Sequence, residues 1–178
     1  MAEYLSLYDA RGADTGFVHL RDGNVCPGAY YLVVNVFSRD EAGHFLVTRR
    51  SPQKEYFPLC WEVTGGCVQA GESSDRGARR ELWEETGLLP RELLYLGRCS
   101  APTLTGGGFF LVDVYEAHIE GRAPAVAMQE DEVCEYRWVS PRTLRDMVGR
   151  TPMEPLTPLA WRAFEGRFLG QKENGGKK

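Results

Sequence analysis

Residues 65–88 read GGCVQAGESSDRGARRELWEETGL, and the fold of the chain turns on them. Five carboxylates, Glu72, Asp75, Glu81, Glu84 and Glu85, stand between a Gly-Gly pair and a closing Thr86-Gly87. The spacing predicts a helix over 73–86. Ser73 or Ser74 can serve as its N-cap, and Gly87 falls where a left-handed C′ residue is wanted. At about 100° per residue, Glu81, Glu84 and Glu85 share roughly one 100° sector. Gly77 lies in the same sector one turn earlier, which leaves the approach there uncluttered, and Ala78 and Leu82 flank it towards a core. Like charges on one face repel by roughly a few tenths of a kcal/mol per i,i+4 pair. Arg80 can pair with Glu84, but Glu81 and Glu85 have no such partner within the helix. A bound divalent cation would remove the conflict, and all-oxygen ligation suits Mg²⁺, or Mn²⁺ in its place, rather than zinc. A solvated acidic face would account for Glu84-Glu85 alone.

Working outwards, the segment before this helix, RRSPQKEYFPLCWEVTGG, reads as an irregular loop because of Ser51-Pro52 and Phe57-Pro58, followed by a short strand over 60–64. Gly65-Gly66 lets the backbone approach a ligand closely. Further upstream, AYYLVVNVF at 29–37 is a near-continuous β-branched and aromatic run, expected of a strand covered on both faces. With HFLVTRR at 44–50 it should form a hairpin. Residues 3–8 and 15–20 suggest an N-terminal hairpin. Downstream, strands are expected over 92–99, 109–119 and 134–139, with a flexible loop at 105–108. Ser140-Pro141 opens a helix running to about 148. The segment TPMEPLTP at 151–158 reads as a linker, 158–169 as an amphipathic helix and 171–178 as a disordered tail. This order implies an α+β fold, an α/β/α sandwich. The units would be a hairpin region at 1–28, a core at 29–140 and C-terminal helices at 141–170.

Composition sets outer bounds. The chain has 178 residues, enough for one domain with a full core, and is 43% hydrophobic and 26% charged. A net charge of −4 gives no general drive towards nucleic acid or anionic membrane, so a phosphate-bearing substrate would need local cations. No apolar run is long enough to span a bilayer, and MAEYLSLYDARG is too polar for a signal peptide. The five cysteines are odd in number and form no CxxC pair, consistent with reduced thiols and a cytoplasmic protein. Oligomeric state is open, a homodimer included.

The central spacing has the form Gly66, five residues, Glu72, seven residues, Arg80-Glu81-Leu82, one residue, Glu84-Glu85, one residue, Gly87-Leu88. It resembles, at every position, the Nudix box of the Nudix hydrolases. The resemblance implies a mixed sheet between helices, with the box as a loop–helix–loop. It also implies Mg²⁺-dependent cleavage of a diphosphate linkage in a small molecule such as a nucleoside diphosphate derivative. Glu81, Glu84 and Glu85 would be metal ligands and catalytic, Gly65 would lend a carbonyl, and Glu72 and Arg80 would orient the ligands. The run QEDEVCEYRWV resembles the family's segment before a late strand, which makes Glu132 the candidate remote ligand or base.

Arg49, Arg50 and Lys54 are candidates to contact substrate phosphate, with surface ion pairs as the alternative. Tyr56, Phe57 and Trp61 can stack on a base, or pack in the core. The wider chain also resembles the branch containing isopentenyl-diphosphate isomerases, which use a cysteine near the position of Cys67. The intact REL-x-EE argues instead for water attack at phosphorus, leaving Cys67 an incidental small residue.

Overall fold

The computed structural model describes residues 2–22, 24–104 and 106–169. Thr105 and the 171–178 segment therefore lie outside the described residues. The organising strand is β3 (Tyr30–Arg39), almost wholly buried. It pairs in parallel with β8 (Phe109–His118) from Tyr30↔Phe109 to Arg39↔His118. β8 in turn pairs antiparallel with β7 (Glu92–Pro102). The other edge of β3 is divided among three partners. β1 (Tyr4–Tyr8) takes Tyr30 and Tyr31, β6 (Thr64–Cys67) takes Val33 to Val36, and β4 (Phe45–Arg50) takes only Arg39. β2 (Asp14–Leu20) extends the sheet beyond β1 as an antiparallel hairpin.

Alternation along β3 and β8 assigns the two cores. Val33, Phe37, Val112 and Val114 face one side, where they meet Leu144 of α2 (Pro141–Arg150) and Ala160, Trp161 and Phe168 of α3 (Leu156–Leu169). Leu32, Val34, Val36, Leu111 and Tyr115 face the other, where they meet Ala78 and Leu82 of α1 (Ser74–Thr86). Helices thus cover both faces of a mixed sheet, which is why β3 carries no polar alternation. Trp161, 1% exposed, stacks on Phe168 at 5.2 Å and meets Phe45 edge-on at 5.9 Å.

Three expectations change. The 29–37/44–50 hairpin opens at once: β4 leaves β3 after Arg39↔Phe45 and pairs with β5 (Trp61–Glu62) and β9 (Val133–Val139) instead. β6 has taken its place on β3, so the sheet forks. The 60–64 strand divides at Val63 into β5 and β6, one on each arm. The 151–158 segment is not a linker. Trp61 N–H donates to the Pro152 carbonyl, Glu154 N–H to the Trp61 carbonyl, and Val63 N–H to Thr157 Oγ1, so the segment closes the fork.

Candidate active site

A cavity of about 350 Å³ opens in the fork, lined by β3, β5, β6, α1, the 51–60 loop and the 129–132 and 154–156 segments. α1 starts at N-cap Ser73 and ends at Gly87, whose φ of +68° is the left-handed conformation its position requires. Its acidic face meets β6 at Gly66. A Cβ there would lie 2.3–2.5 Å from the Glu81 carboxyl atoms, so glycine is needed for that carboxylate to seat against the strand. The pair Gly65-Gly66 is thus itself a β-strand that makes room for a protein carboxylate. Gly77 does not open the ligand side: it is buried against Val68 and Glu72, letting the preceding loop close on the helix.

Arg80 ties these parts together. Nε and Nη2 donate to the two Glu72 oxygens at 3.0 and 2.9 Å, and Nη2 also donates to the Cys67 carbonyl at 2.9 Å. Nη1 reaches Glu81 at 2.7 Å and Glu84 at 3.1 Å. The expectation that Glu81 lacks a partner within the helix is therefore corrected. Adjacent side chains on a helix diverge, but both of these are long enough to turn back to a shared point over β6. Burial works against the Arg80 charge, and the surrounding carboxylates outweigh it, holding the guanidinium protonated.

Glu85 has no such relief. It is 6% exposed, and its Oε2 is buried without a hydrogen-bond partner among the described residues. Burial pushes its carboxyl well above the usual range, reinforced by Glu62, Glu81 and Glu132 and opposed by Lys54. Glu81 is pushed up by burial and by Glu84, against Arg80. Glu84 stands at the rim, its side chain 48% exposed.

Of the residues singled out from sequence, Gly65, Glu81, Glu84, Glu85, Arg80, Arg50, Lys54 and Glu132 line the cavity. Glu132 is ion-paired with Lys54. Glu72 stands behind Arg80. Arg49, expected at the substrate, lies outside the cavity because consecutive strand residues point to opposite faces. Its Nε donates to the Leu59 carbonyl at 3.0 Å and Nη1 contacts Glu135 at 3.4 Å. Trp61 belongs to the core, whereas Tyr56 and Phe57 line the cavity. Cys67 also lines it, and burial pushes its thiol up, away from the thiolate.

Sequence reasoning missed Glu62, Glu154 and Arg21. Glu62 pairs with Arg50 at 2.7 Å, and burial, against Arg50, pushes its carboxyl up to about 7. Glu154 Oε2 accepts from the N–H groups of Leu156 and Thr157 and so caps α3. Arg21, paired with Glu3 at 2.7 Å, enters from beyond β2. A charge inside the short apolar run CWEVT was the one signal for Glu62; the other two had none.

Among the described residues no three His, Cys, Asp or Glu side chains converge on one ready-made metal position. Arg80, Arg50 and Lys54 hold the carboxylates apart. The donor set nevertheless suits a hard divalent cation: carboxylates surround a buried Glu85 oxygen that has no hydrogen-bond partner among the described residues, and Lys54, which opposes them, is already paired with Glu132.

The chain belongs to the Nudix family: the NUDIX domain profile matches residues 29–160. Among curated relatives, YfcD of Escherichia coli K12, described as an uncharacterised Nudix hydrolase, is 34% identical over 139 residues, 74% of this chain and 69% of that protein. A Nudix hydrolase of Listeria monocytogenes is 36% identical over 76 residues. That match spans 42% of this chain and less than half, 45%, of the relative's length. Among solved structures, DR0079 from Deinococcus radiodurans superposes with a TM-score of 0.71 at 28% identity, covering 91% of this chain and 99% of that one. The NUDIX domain of Shewanella oneidensis NrtR, solved with ADP ribose, shares the fold at a TM-score of 0.61 and 20% identity, covering 82% of this chain and 91% of that one.

Proposed function

We propose that this protein is a Mg²⁺-dependent pyrophosphohydrolase cleaving a diphosphate linkage in a nucleoside diphosphate derivative or a similar small molecule, with Mn²⁺ able to substitute. One observation carries the reading: the buried Glu85 carboxyl faces Glu62, Glu81 and Glu132 across the cavity, its Oε2 has no hydrogen-bond partner among the described residues, and Lys54, which opposes this crowding, is itself ion-paired with Glu132. Glu81, Glu84 and Glu85, with the Gly65 carbonyl, are the residues that would hold the metal. When bound, a divalent cation neutralises diphosphate oxygens and acidifies water at the phosphorus.

The chain's own groups do the rest. Arg80 holds Glu81 and Glu84 in register with the β6 backbone, while Glu72 fixes Arg80. Lys54 brings positive charge to the opposite wall, where phosphate oxygens would sit, and Arg50 supports that wall by holding Glu62 and the Tyr56 carbonyl. Glu132, which lines the cavity beside Lys54, would be the acceptor of a proton from attacking water. The intact Arg80-Glu81-Leu82 and Glu84-Glu85 of the box favour hydrolysis over carbon chemistry at Cys67.

The test is a panel of diphosphates, ADP-ribose and nucleoside diphosphates included, incubated with Mg²⁺ or Mn²⁺, with products identified by mass. Glu84→Gln and Glu85→Gln should each lower kcat by at least about 100-fold while circular dichroism stays unchanged. Near-normal turnover in both variants would sink the metal assignment. Cys67→Ala should leave hydrolysis intact.

A further inference from the structure

The 51–60 loop contains two residues other than glycine with positive φ, Phe57 at +52° and Leu59 at +62°. Such backbone costs an ordinary side chain free energy that glycine avoids. Phe57 also precedes Pro58, and a residue in that position is normally extended at negative φ. The surrounding structure enforces the conformation. Arg50 Nε donates to the Tyr56 carbonyl at 3.0 Å and Arg49 Nε to the Leu59 carbonyl at 3.0 Å. Leu59 N–H donates to the Arg50 carbonyl, and Cys60 N–H to that of Phe57. Two neighbouring arginines, one from each face of β4, thus clamp the loop at both ends.

The clamp serves no core. Neither Tyr56 nor Phe57 belongs to either hydrophobic cluster, yet both line the cavity, Tyr56 at 40% exposure and Phe57 half-buried. A loop that needed only this backbone path would be served by glycine at 57. Strain is retained at ligand clamps when the side chain it presents is used.

We propose that Phe57 is a specificity-determining residue: a stacking platform, flanked by Tyr56, for the nucleobase of a nucleoside diphosphate whose phosphates face Lys54 and the acidic wall. This deepens the pyrophosphohydrolase reading and rests on it. Arg50 then acts on the substrate through the loop, since its Nε and Nη1 are committed to Tyr56 and Glu62.

The experiment compares two non-hydrolysable probes by calorimetry with Mg²⁺: adenosine 5′-(α,β-methylene)diphosphate, which has a base, and methylenediphosphonate, which has none. Stacking tolerates any base, so adenine is a fair probe. Phe57→Gly should weaken the adenosine probe about tenfold and leave methylenediphosphonate unchanged. The melting temperature should hold or rise, because glycine relieves the backbone. Phe57→Leu should lose the same affinity, and Phe57→Tyr should restore it. Equal loss for both probes, no loss for the adenosine probe, or a wild type that binds the adenosine probe no better than methylenediphosphonate would overturn the platform. Turnover of the diphosphate panel by the wild type reads separately on the hydrolase reading, so either can fail alone.

Discussion

Replacing Gly66 by alanine should separate the stability of this protein from its activity. Gly66 has no positive φ, so alanine fits its backbone. The three atoms nearest the added methyl would all be of the Glu81 carboxyl, with Cδ at 2.3 Å. Reaching the 3.4 Å at which ordinary contact begins requires that carboxyl to retreat by about 1 Å. Glu81 ends a flexible side chain, so the retreat should cost under about 1 kcal/mol, less than rigid overpacking does. A 1 Å misplacement of a catalytic group can lower the rate about 100-fold, equivalent to about 2.7 kcal/mol at the transition state. It also strains the Arg80–Glu81 contact of 2.7 Å.

Gly65→Ala is the counterpart. Its Cβ would meet the Val34 carbonyl oxygen at 2.6 Å, which is backbone in the β3–β6 ladder and cannot swing away. That variant should lose roughly 1–3 kcal/mol or more of stability. The assays are urea unfolding and kcat/KM on whichever diphosphate the panel identifies. A folded Gly66→Ala with unchanged kcat/KM would refute the claim that this glycine exists to seat Glu81. So would a Gly66→Ala that unfolds as readily as Gly65→Ala.

Other outcomes follow from the same packing. Glu62 moves from its ordinary 4.5 to about 7 on folding, chiefly by burial. Between those values the folded state holds the proton more tightly than the unfolded chain does, so metal-free stability should fall as pH rises through the window. Glu62→Gln should flatten that slope in melts run with EDTA, while Glu85, shifted in the same direction, keeps part of it. A slope identical to wild type would contradict the assignment. Asp113 is 2% exposed and accepts from Arg98, Ser74 and Tyr95, tying the first turn of α1 to β8. Asp113→Ala should cost about 3 kcal/mol in urea unfolding, the low end for a broken buried pair because Arg98 keeps part of its side chain in water. Trp161→Ala, by emptying the aromatic cluster, should cost about 3–5 kcal/mol in the same assay; a loss under 1 kcal/mol would mean α3 does not hold the sheet.

Much of this was legible in the chain because the signals are local. Helix α1, its bounds and its acidic sector follow from residue spacing within 65–88, although Ser73 stands at the N-cap without a side-chain cap hydrogen bond, and the two-faced burial of β3 follows from its unbroken apolar run. The placement of Lys54 beside Glu132 was not legible, nor was the turning of Arg49 away from the cavity while Arg50 enters it. Strand alternation guarantees that the two arginines diverge, but only the packed sheet says which of them faces inwards.

By itself, then, the sequence determined the acidic helix, the box that places the chain among Nudix proteins, and the two layers of core. Tertiary structure decided the fork between β3 and β4, the use of 151–158 as a wall, and the arrival of Glu62, Glu154 and Arg21 at one cavity. The reason is physical. A helix face is set by bonds between residues four apart, whereas the edge of β3 was open to several strands. Which strand took it depended on burying both faces of the sheet at once, a condition written in no single stretch of the chain.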